Sequence, residues 1–387
     1  MSEWLPMFAL PNIETRQPIE VDGFALVSIH DERLQRMVKK HRRFGSYLKR
    51  FKNEFGEQIV PSILICRDDA PERYRGVDAI AGFRDAIAMS VIPQSWGRVL
   101  RLESNFGIKY SDYFAVYPWM IDKNYNYLIT NTLDMLGLHQ VSMLRAQSGP
   151  ALSRSILGES PLDWPLLDEL VSRWKSCFGG VSSDTEDLKL FRSLNMANAA
   201  ARLPAGADVT NLDIGRSVSL WSSAFEILVP AKSEAFRNVY ALLDKIAWSF
   251  TPCQERKYEA FGFKKDKTKR NLPSWLFGEI NAARNDFLHG NPISKSRLIV
   301  SPARRPLHLY VSLLYRMALA AFLNLKYVPR PRKEGETEYE ARWRDDFAFG
   351  RFQGDIEVAL STIMTTEEEY REQRSGESAA VRVKRRE

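Results

Sequence analysis

Cysteine, histidine and the common catalytic motifs are scarce or missing in this sequence. Its three cysteines, Cys66, Cys177 and Cys253, lie far apart and form no CxxC pair, so a disulfide framework and a zinc site both lack support. None of the five histidines is spaced with another His or Cys as metal ligands are. The motifs GxxxxGK[ST], HExxH, GxSxG and GxGxxG are absent. We therefore expect neither a metal nor another cofactor.

Long apolar runs are also missing. The N-terminus, "MSEWLPMFALPNIE", lacks the basic start and apolar stretch of a signal peptide. The segment "VSLLYRMALAAFLNL" is too short for a membrane span and is interrupted by Arg316. These features predict a folded cytoplasmic protein that does not enter a membrane.

The composition is that of a folded chain with more than one domain. Hydrophobic residues make up 44% of the 387 positions, which is enough for a substantial core. The periodicity changes near residue 185 and the composition changes again near residue 330. We predict an α+β domain of unknown role over residues 1–185, an all-α helical bundle over 186–330, and a charged, partly disordered C-terminal extension over 331–387.

The first 185 residues mix strand and helix patterns. A helix is predicted by "VDAIAGFRDAIAMSVI" (77–92). Strands are predicted by apolar, β-branched or aromatic runs at "FALVSI" (24–29), "IVPSILIC" (59–66), "YFAVYPWM" (113–120) and "NYNYLIT" (124–130). No functional site is evident in this part of the sequence.

Helical periodicity continues from residue 185 to Tyr327. Five segments carry apolar residues at helical spacing: 182–203, 211–230, 233–250, 272–290 and 304–327. The second is stopped by Pro230, and the fourth begins with Pro273 near its first turn. Five helices joined by moderate loops indicate a bundle.

The fourth helix ends in "NAARNDFLHGNP" (281–292), which is the strongest candidate for a functional site. One face of this helix is apolar and must enter the core, as shown by the spacing of Leu276, Ile280, Ala283 and Phe287. Asn285 and His289 project together on nearly the opposite side. Gly290 is suited to follow the last turn in a left-handed conformation, and Pro292 prevents continuation.

Arg284 lies at the boundary of the core face, beside the apolar residue Leu288, which points away from the core. This flank is therefore expected to be covered by something outside the bundle. A simpler interpretation is also open, in which Arg284 and His289 are ordinary cations that cap carbonyl groups near a helix end.

The stretch "ARNDFLHG" resembles the signature of HEPN domains, in which Arg is followed by Asn and, a few residues later, by His and Gly at a helix end. The helix "SLWSSAFEILV", with Glu226 at its centre, resembles the Glu-bearing segment upstream in Apea-like HEPN domains. The resemblance covers roughly residues 186–327. It implies an all-α HEPN-like bundle that forms a homodimer, and in many members a metal-independent endoribonuclease of host-defence or toxin systems.

Under this resemblance, His289 would move protons to and from the reacting oxygens, Arg284 would stabilise the phosphorane charge, and Asn285 would orient the phosphate or His289. Arg284 and His289 point about 140° apart on an ideal helix, so a dimer that supplies one from each chain is expected. Glu226 would support the site. Its helix face also carries Ser219, Ser222 and Ser223, and this face either approaches the motif or meets water, with water favoured.

The net charge of +7 is mild, but its distribution suggests a polyanionic partner. "KKDKTKR" (264–270) precedes the candidate motif and "SKSRLIVSPARR" (294–305) follows it. A solvated surface loop explains either segment taken alone. Their position on both sides of one site favours RNA, and the predicted binding residues are Lys264, Lys265, Lys267, Lys269 and Arg270.

Two other functions stay open. In the first, the bundle is a dimerisation or nucleic-acid-binding module without catalysis, as in HEPN domains that lack activity. In the second, the protein is a toxin neutralised by a nucleotidyltransferase antitoxin. An intact Arg284, Asn285 and His289 triplet favours the enzyme, with the N-terminal domain sensing a trigger, such as a partner protein, or selecting the RNA.

Overall fold

The chain divides into two compact units. The computed structural model describes residues 3–369 apart from 54, 104, 117–118, 122–126, 132–135, 141–154, 181–183, 203–209, 231–234, 260–268, 292–294, 301–303, 326–332, 338–339, 341–349 and 367–368. The first unit comprises Met1–Ile92 and Gly107–Ala205, and the second comprises Pro93–Phe106 and Gly206–Glu387.

The first unit is built on an antiparallel sheet with the strand order β1-β5-β4-β3. Its strands are β1 (Trp4–Leu10), β3 (Ile19–Val21), β4 (Phe24–Val27) and β5 (Ser62–Arg67). Two further short strands, β2 (Ile13–Glu14) and β9 (Ser155–Ile156), pair in parallel. The strands predicted at 24–29 and 59–66 are confirmed in β4 and β5.

Successive strand residues point to opposite sides of this sheet, and each of its two faces is covered by helices. On one side, α1 (Glu32–Lys40) and α2 (Arg42–Leu48) share a core with Ala25 and Val27. On the other side, the ring of Phe24 lies 5.0 Å from Phe83 and 5.2 Å from Trp174. These two aromatic residues belong to α3 (Val77–Met89) and α5 (Trp164–Gly179). The helix predicted over 77–92 is confirmed as α3.

One predicted strand of the first unit is only partly correct. The prediction over 113–120 is wrong at its start, because residues 111–114 form a 3₁₀ turn whose Ser111 hydroxyl donates to the carbonyl of Asn198. A short apolar run does not by itself distinguish a strand from a buried turn. An antiparallel meander follows, formed by β6 (Trp119–Ile121), β7 (Tyr127–Asn131) and β8 (Leu136–Gln140). Within the prediction over 124–130, residues 124–126 lie outside the described residues and the rest is strand.

Helix α6 (Thr185–Ala200) packs within the first unit rather than in the helical bundle for which it was predicted. It lies against α3 and α5, and Phe191 contacts Phe178 with ring centroids 5.2 Å apart. The apolar stripe of α6 was correctly predicted, but a stripe alone does not specify the element that covers it.

The second unit is mostly helical. Its helices are α4 (Ile92–Leu100, whose first residue falls in the first unit), α7 (Asn211–Leu228), α8 (Ala235–Asp244), α9 (Thr251–Gln254), α10 (Leu272–Leu288), α11 (Lys295–Leu298), α12 (His308–Phe322) and α13 (Asp355–Ser361). Two short hairpins accompany them, β10 (Tyr258–Glu259) with β11 (Lys269–Arg270), and β12 (Ile299–Val300) with β13 (Arg305–Pro306).

Aromatic contacts form the core of this unit. The ring of Phe225 in α7 lies 5.4 Å from Phe277 in α10 and 5.4 Å from Tyr315 in α12. Tyr240 of α8 completes the cluster with its ring 5.4 Å from Phe277. Edge-on contacts of this kind stabilise a core beyond the area they bury. They fix α7 and α10, the two helices that carry the candidate residues.

Part of the predicted C-terminal extension is integrated into the second unit. In α13, Ile356 and Leu360 are completely buried. The carboxylate of Glu357, also buried, accepts hydrogen bonds from the backbone N–H groups of Ser249 (2.9 Å) and Phe250 (2.6 Å). These bonds hold α13 against the chain entering α9.

The structure confirms an α+β unit followed by a mostly helical one. In the part of the chain that it describes, no helix combines the length and the apolar character needed to cross a membrane.

Candidate functional site at the end of helix α10

Both ends of α10 are fixed by local hydrogen bonds. At its start, the Asn271 side chain accepts a bond from the N–H of Ser274, and Pro273 occupies the first turn as predicted. At its end, the N–H groups of Gly290 and Asn291 donate to the carbonyls of Phe287 and Asp286 at 3.4 and 2.9 Å. This is the Schellman pattern.

The predicted role of Gly290 in that pattern is confirmed. Its φ of 71° lies in the left-handed region, where a residue without a Cβ atom is favoured. His289 is thereby the C-cap residue, placed at the point where the helix stops.

Arg284 faces helix α7. One of its terminal nitrogens lies 3.8 Å from a carboxylate oxygen of Glu226, and the other donates to the side-chain carbonyl of Asn285 at 3.1 Å. The separation from Glu226 is that of an ion pair rather than a direct hydrogen bond. The Nε atom of Arg284 is buried and has no hydrogen-bond partner among the described residues. The side chain as a whole is 28% exposed, and its terminal nitrogens keep N–H groups that are not used in hydrogen bonds with the described residues.

The sequence pattern favours exposure of Glu226 to water over contact with the motif, and that expectation is wrong. Its side chain is 23% exposed and lies against Arg284. Burial raises the pKa of Glu226 above its usual value, and the Coulombic attraction of Arg284 acts in the opposite direction. One turn earlier on the same face, the Ser222 hydroxyl is fully buried without a hydrogen-bond partner among the described residues. Glu226 thus lies against the motif rather than in solvent.

His289 is exposed at the helix end. Within the described part of the chain, its side chain makes no hydrogen bond or ion pair, either with Arg284 or with Glu226. The structure therefore brings Arg284, Asn285 and Glu226 together and leaves His289 outside this group. That separation agrees with the angle of about 140° expected for two residues five apart on a helix.

The residues that fix the segment after α10 are not evident from the sequence. Arg297 of α11 lies 2.8 Å from a carboxylate oxygen of Asp286 and 3.6 Å from one of Glu279, both on α10. Burial raises the pKa of Glu279, and Arg297 opposes this shift. The composition of "SKSRLIVSPARR" indicates only a basic segment and does not predict partners for its arginines. No local pattern connects Arg297 to carboxylates on an earlier helix.

The predicted RNA-binding lysines are only partly covered by the structure. Lys264, Lys265 and Lys267 lie outside the described residues. Lys269 is exposed on β11. Arg270 is different, because its guanidinium stacks 4.1 Å from the centre of the Tyr240 ring and lies 3.3 Å from Asp244. These contacts within the second unit give Arg270 a structural role.

The three cysteines are buried and unpaired. Across the ranges that the structure describes, no group of three or more His, Cys, Asp or Glu side chains is arranged to hold a metal ion. Comparison with known proteins gives no match to a protein family, to a curated protein or to a solved structure.

Proposed function

We propose that this protein is a metal-independent endoribonuclease of the HEPN kind, active in host defence or in a toxin-like stress response. The observation that carries the proposal is the juxtaposition of Arg284 and Glu226 at the end of the helix that places His289 at its exposed C-cap. The resemblance of "RNDFLHG" and of the helix around Glu226 to HEPN segments rests on sequence alone. The contact between these two segments is an independent observation that supports it.

The proposed reaction is transesterification of RNA. The ribose 2′-oxygen attacks the adjacent phosphorus while its proton passes to a base, and the bond from phosphorus to the 5′-oxygen breaks as that oxygen receives a proton. The products are a 2′,3′-cyclic phosphate and a 5′-hydroxyl. His289 is assigned the proton transfers because an imidazole gains and loses a proton near neutral pH.

Arg284 is assigned to the charge that develops on the phosphorane oxygens. A planar guanidinium with free N–H donors suits the oxygens of a phosphate. Glu226 holds this guanidinium by charge, and Asn285 holds it by a hydrogen bond, so its position is fixed before RNA arrives. Asn285 keeps its amide N–H₂ for the phosphate.

The test is incubation of the purified protein with transfer and messenger RNA in EDTA, followed by analysis of the cleaved ends. We expect cleavage with 2′,3′-cyclic phosphate ends for the wild type and for His30→Ala, which removes an exposed histidine elsewhere. His289→Ala should abolish cleavage and any toxicity in cells while leaving the circular dichroism spectrum unchanged. Cleavage by folded His289→Ala at the wild-type rate would refute the assignment. RNA binding without cleavage by the wild type would favour the non-catalytic module.

A further inference from the structure

A second basic region lies in the first unit, far from the candidate motif in sequence. Residues 33–52 contain no Asp or Glu and nine cations: Arg33, Arg36, Lys39, Lys40, Arg42, Arg43, Lys49, Arg50 and Lys52. The segment contains helix α2 and all of helix α1 except its first residue, Glu32. A run of like charges is often only a solvated surface, so the contacts of the individual cations decide its meaning.

Some of these cations are neutralised and others are not. Arg33 pairs with Glu20 and Asp31, Arg36 pairs with Glu32, and Lys40 pairs with Glu3. In contrast, five exposed cations have side chains that make no hydrogen bond or ion pair with any residue that the structure describes: Lys39, Arg42, Arg43, Lys49 and Lys52. These five are therefore the ones available to an external anion.

Three of these free cations, Lys39, Arg42 and Lys49, line one groove. Its volume is about 580 Å³, and its apolar lining comes from Ile29, Val38 and Leu48, with Gln35, Ser46 and Gln58 also present. None of the described residues that line it is acidic. The groove is firmly supported, because α1 and α2 pack on the sheet through buried residues such as Leu34 and Phe44. Its size falls within the range of ligand sites in proteins.

An aromatic side chain is displayed in the turn that continues from the groove. An isolated antiparallel β-bridge pairs Lys52 with Gln58, and the turn between them carries Phe55, which is 82% exposed. The Asn53 side chain holds this turn by accepting bonds from the N–H groups of Phe55 (3.0 Å) and Glu57 (2.9 Å). The turn thus holds an exposed ring three residues along the chain from Gln58, which lines the groove.

We propose that the groove between α1 and α2 binds single-stranded RNA, with phosphates on Lys39, Arg42 and Lys49 and a base stacked on Phe55. A positively charged groove beside an aromatic platform is the combination by which proteins bind single strands. A strand fits better than a free nucleotide, because the cations are exposed and continue past the groove to Arg43 and Lys52. A duplex fits poorly, since its bases are not available to stack on the ring.

This binding site does not depend on the proposed cleavage, so the two are tested separately. Binding is measured by fluorescence anisotropy of a labelled single-stranded RNA of twelve nucleotides, using full-length protein that carries His289→Ala, in EDTA, over a series of salt concentrations. The groove variant combines Lys39→Gln, Arg42→Gln and Lys49→Gln. The control variant combines Lys175→Gln, Lys189→Gln and Arg192→Gln, which removes the same charge from α5 and α6 of the same unit.

The groove variant should bind about tenfold to hundredfold more weakly at low salt, and its slope of log affinity against log salt should be flatter by about 2, since each lost phosphate contact contributes roughly 0.7. Phe55→Ala should weaken binding about 5- to 150-fold, the range for one stacked base, and Phe55→Trp should preserve it. The control variant should bind almost as the parent does.

The proposal would be overturned by equal weakening of binding in the groove and control variants, by no effect of Phe55→Ala, or by displacement of the RNA by ATP at an equal nucleotide concentration. A matched duplex that binds as tightly as the single strand would also contradict it. If His289→Ala lacks cleavage but the groove variants bind normally, the ribonuclease proposal stands and this one fails. If the groove variants lose binding while the wild type cleaves no RNA, the binding proposal stands and the ribonuclease proposal fails.

Discussion

A terminal nitrogen of Arg284 lies 3.8 Å from a carboxylate oxygen of Glu226, while the Nε atom of the same guanidinium is buried without a hydrogen-bond partner among the described residues. A buried donor without a partner costs free energy, roughly 1–3 kcal/mol in typical proteins. The ion pair offsets that cost and aligns the guanidinium. This arrangement suits a guanidinium that is held in place and offers its terminal N–H groups to an anionic ligand.

The first prediction concerns Glu226 and pH. Because burial raises the pKa of Glu226 above 4.5, the folded protein binds this proton more tightly than the unfolded chain does. The stability that this group contributes is present below pH 4.5 and is lost as the pH rises through the folded pKa. The amide of Glu226→Gln does not titrate. This variant should therefore gain stability relative to the wild type as the pH is raised above 4.5, as measured by urea unfolding at a series of pH values.

An Arg284→Gln background provides the matched comparison for this experiment. Without the attraction of Arg284, the pKa of Glu226 should rise further. The stability that Glu226→Gln gains with increasing pH should therefore be larger in the Arg284→Gln background than in the wild type. Parallel stability curves for wild type and Glu226→Gln would show that burial does not dominate the environment of this carboxylate.

The second prediction separates two neighbouring cations of β11. Arg270 stacks on Tyr240 and pairs with Asp244, so Arg270→Ala should lower the free energy of unfolding by about 1–2 kcal/mol. Lys269 is exposed, and Lys269→Ala should change it by less than about 0.5 kcal/mol. Chemical denaturation of both proteins measures the difference. Equal stability of the two variants would show that Arg270 contributes no more to the free energy of unfolding than an exposed surface cation does.

The third prediction concerns α13. Glu357→Ala removes the acceptor for the N–H groups of Ser249 and Phe250, and should destabilise the second unit by about 2–4 kcal/mol. Glu357→Gln keeps one side-chain carbonyl oxygen and should cost less. The measurement is the unfolding midpoint followed by tryptophan fluorescence. A Glu357→Ala protein as stable as the wild type would mean that water replaces the lost acceptor.

The elements that sequence predicted well are those whose determinants are local. Helix α10 was predicted from its apolar spacing, from Pro273 in its first turn and from Gly290 after its last, and each of these acts within a few residues. The assignment of α6 to the bundle failed because its partner, α3, lies about a hundred residues earlier in the chain, and helical periodicity carries no information on which surface covers it.

The same distinction explains the candidate site. The projection of Asn285 and His289 away from the core follows from helix geometry, and His289 is exposed as this requires. The contact between Glu226 and Arg284 depends on how α7 and α10 pack, which the sequence left open. The free cations of the groove were also missed, because only the structure shows which of the nine cations near α1 and α2 are neutralised by carboxylates.

The last prediction is that the active species is a homodimer built around the end of α10. Leu288 is 54% exposed although it is apolar, and Arg284 and His289 lie on different sides of their helix. A second copy of the same surface would cover Leu288 and place each motif opposite its twin.

Arg284→Ala and His289→Ala proteins, each inactive alone, should then regain activity when mixed under conditions that allow exchange. A mixed dimer keeps one intact cleft, so about half of the activity per dimer should return in the simplest count. A monomer by light scattering at micromolar concentration with full activity would contradict the composite cleft, whereas a dimer without complementation would place both residues of each site on one chain.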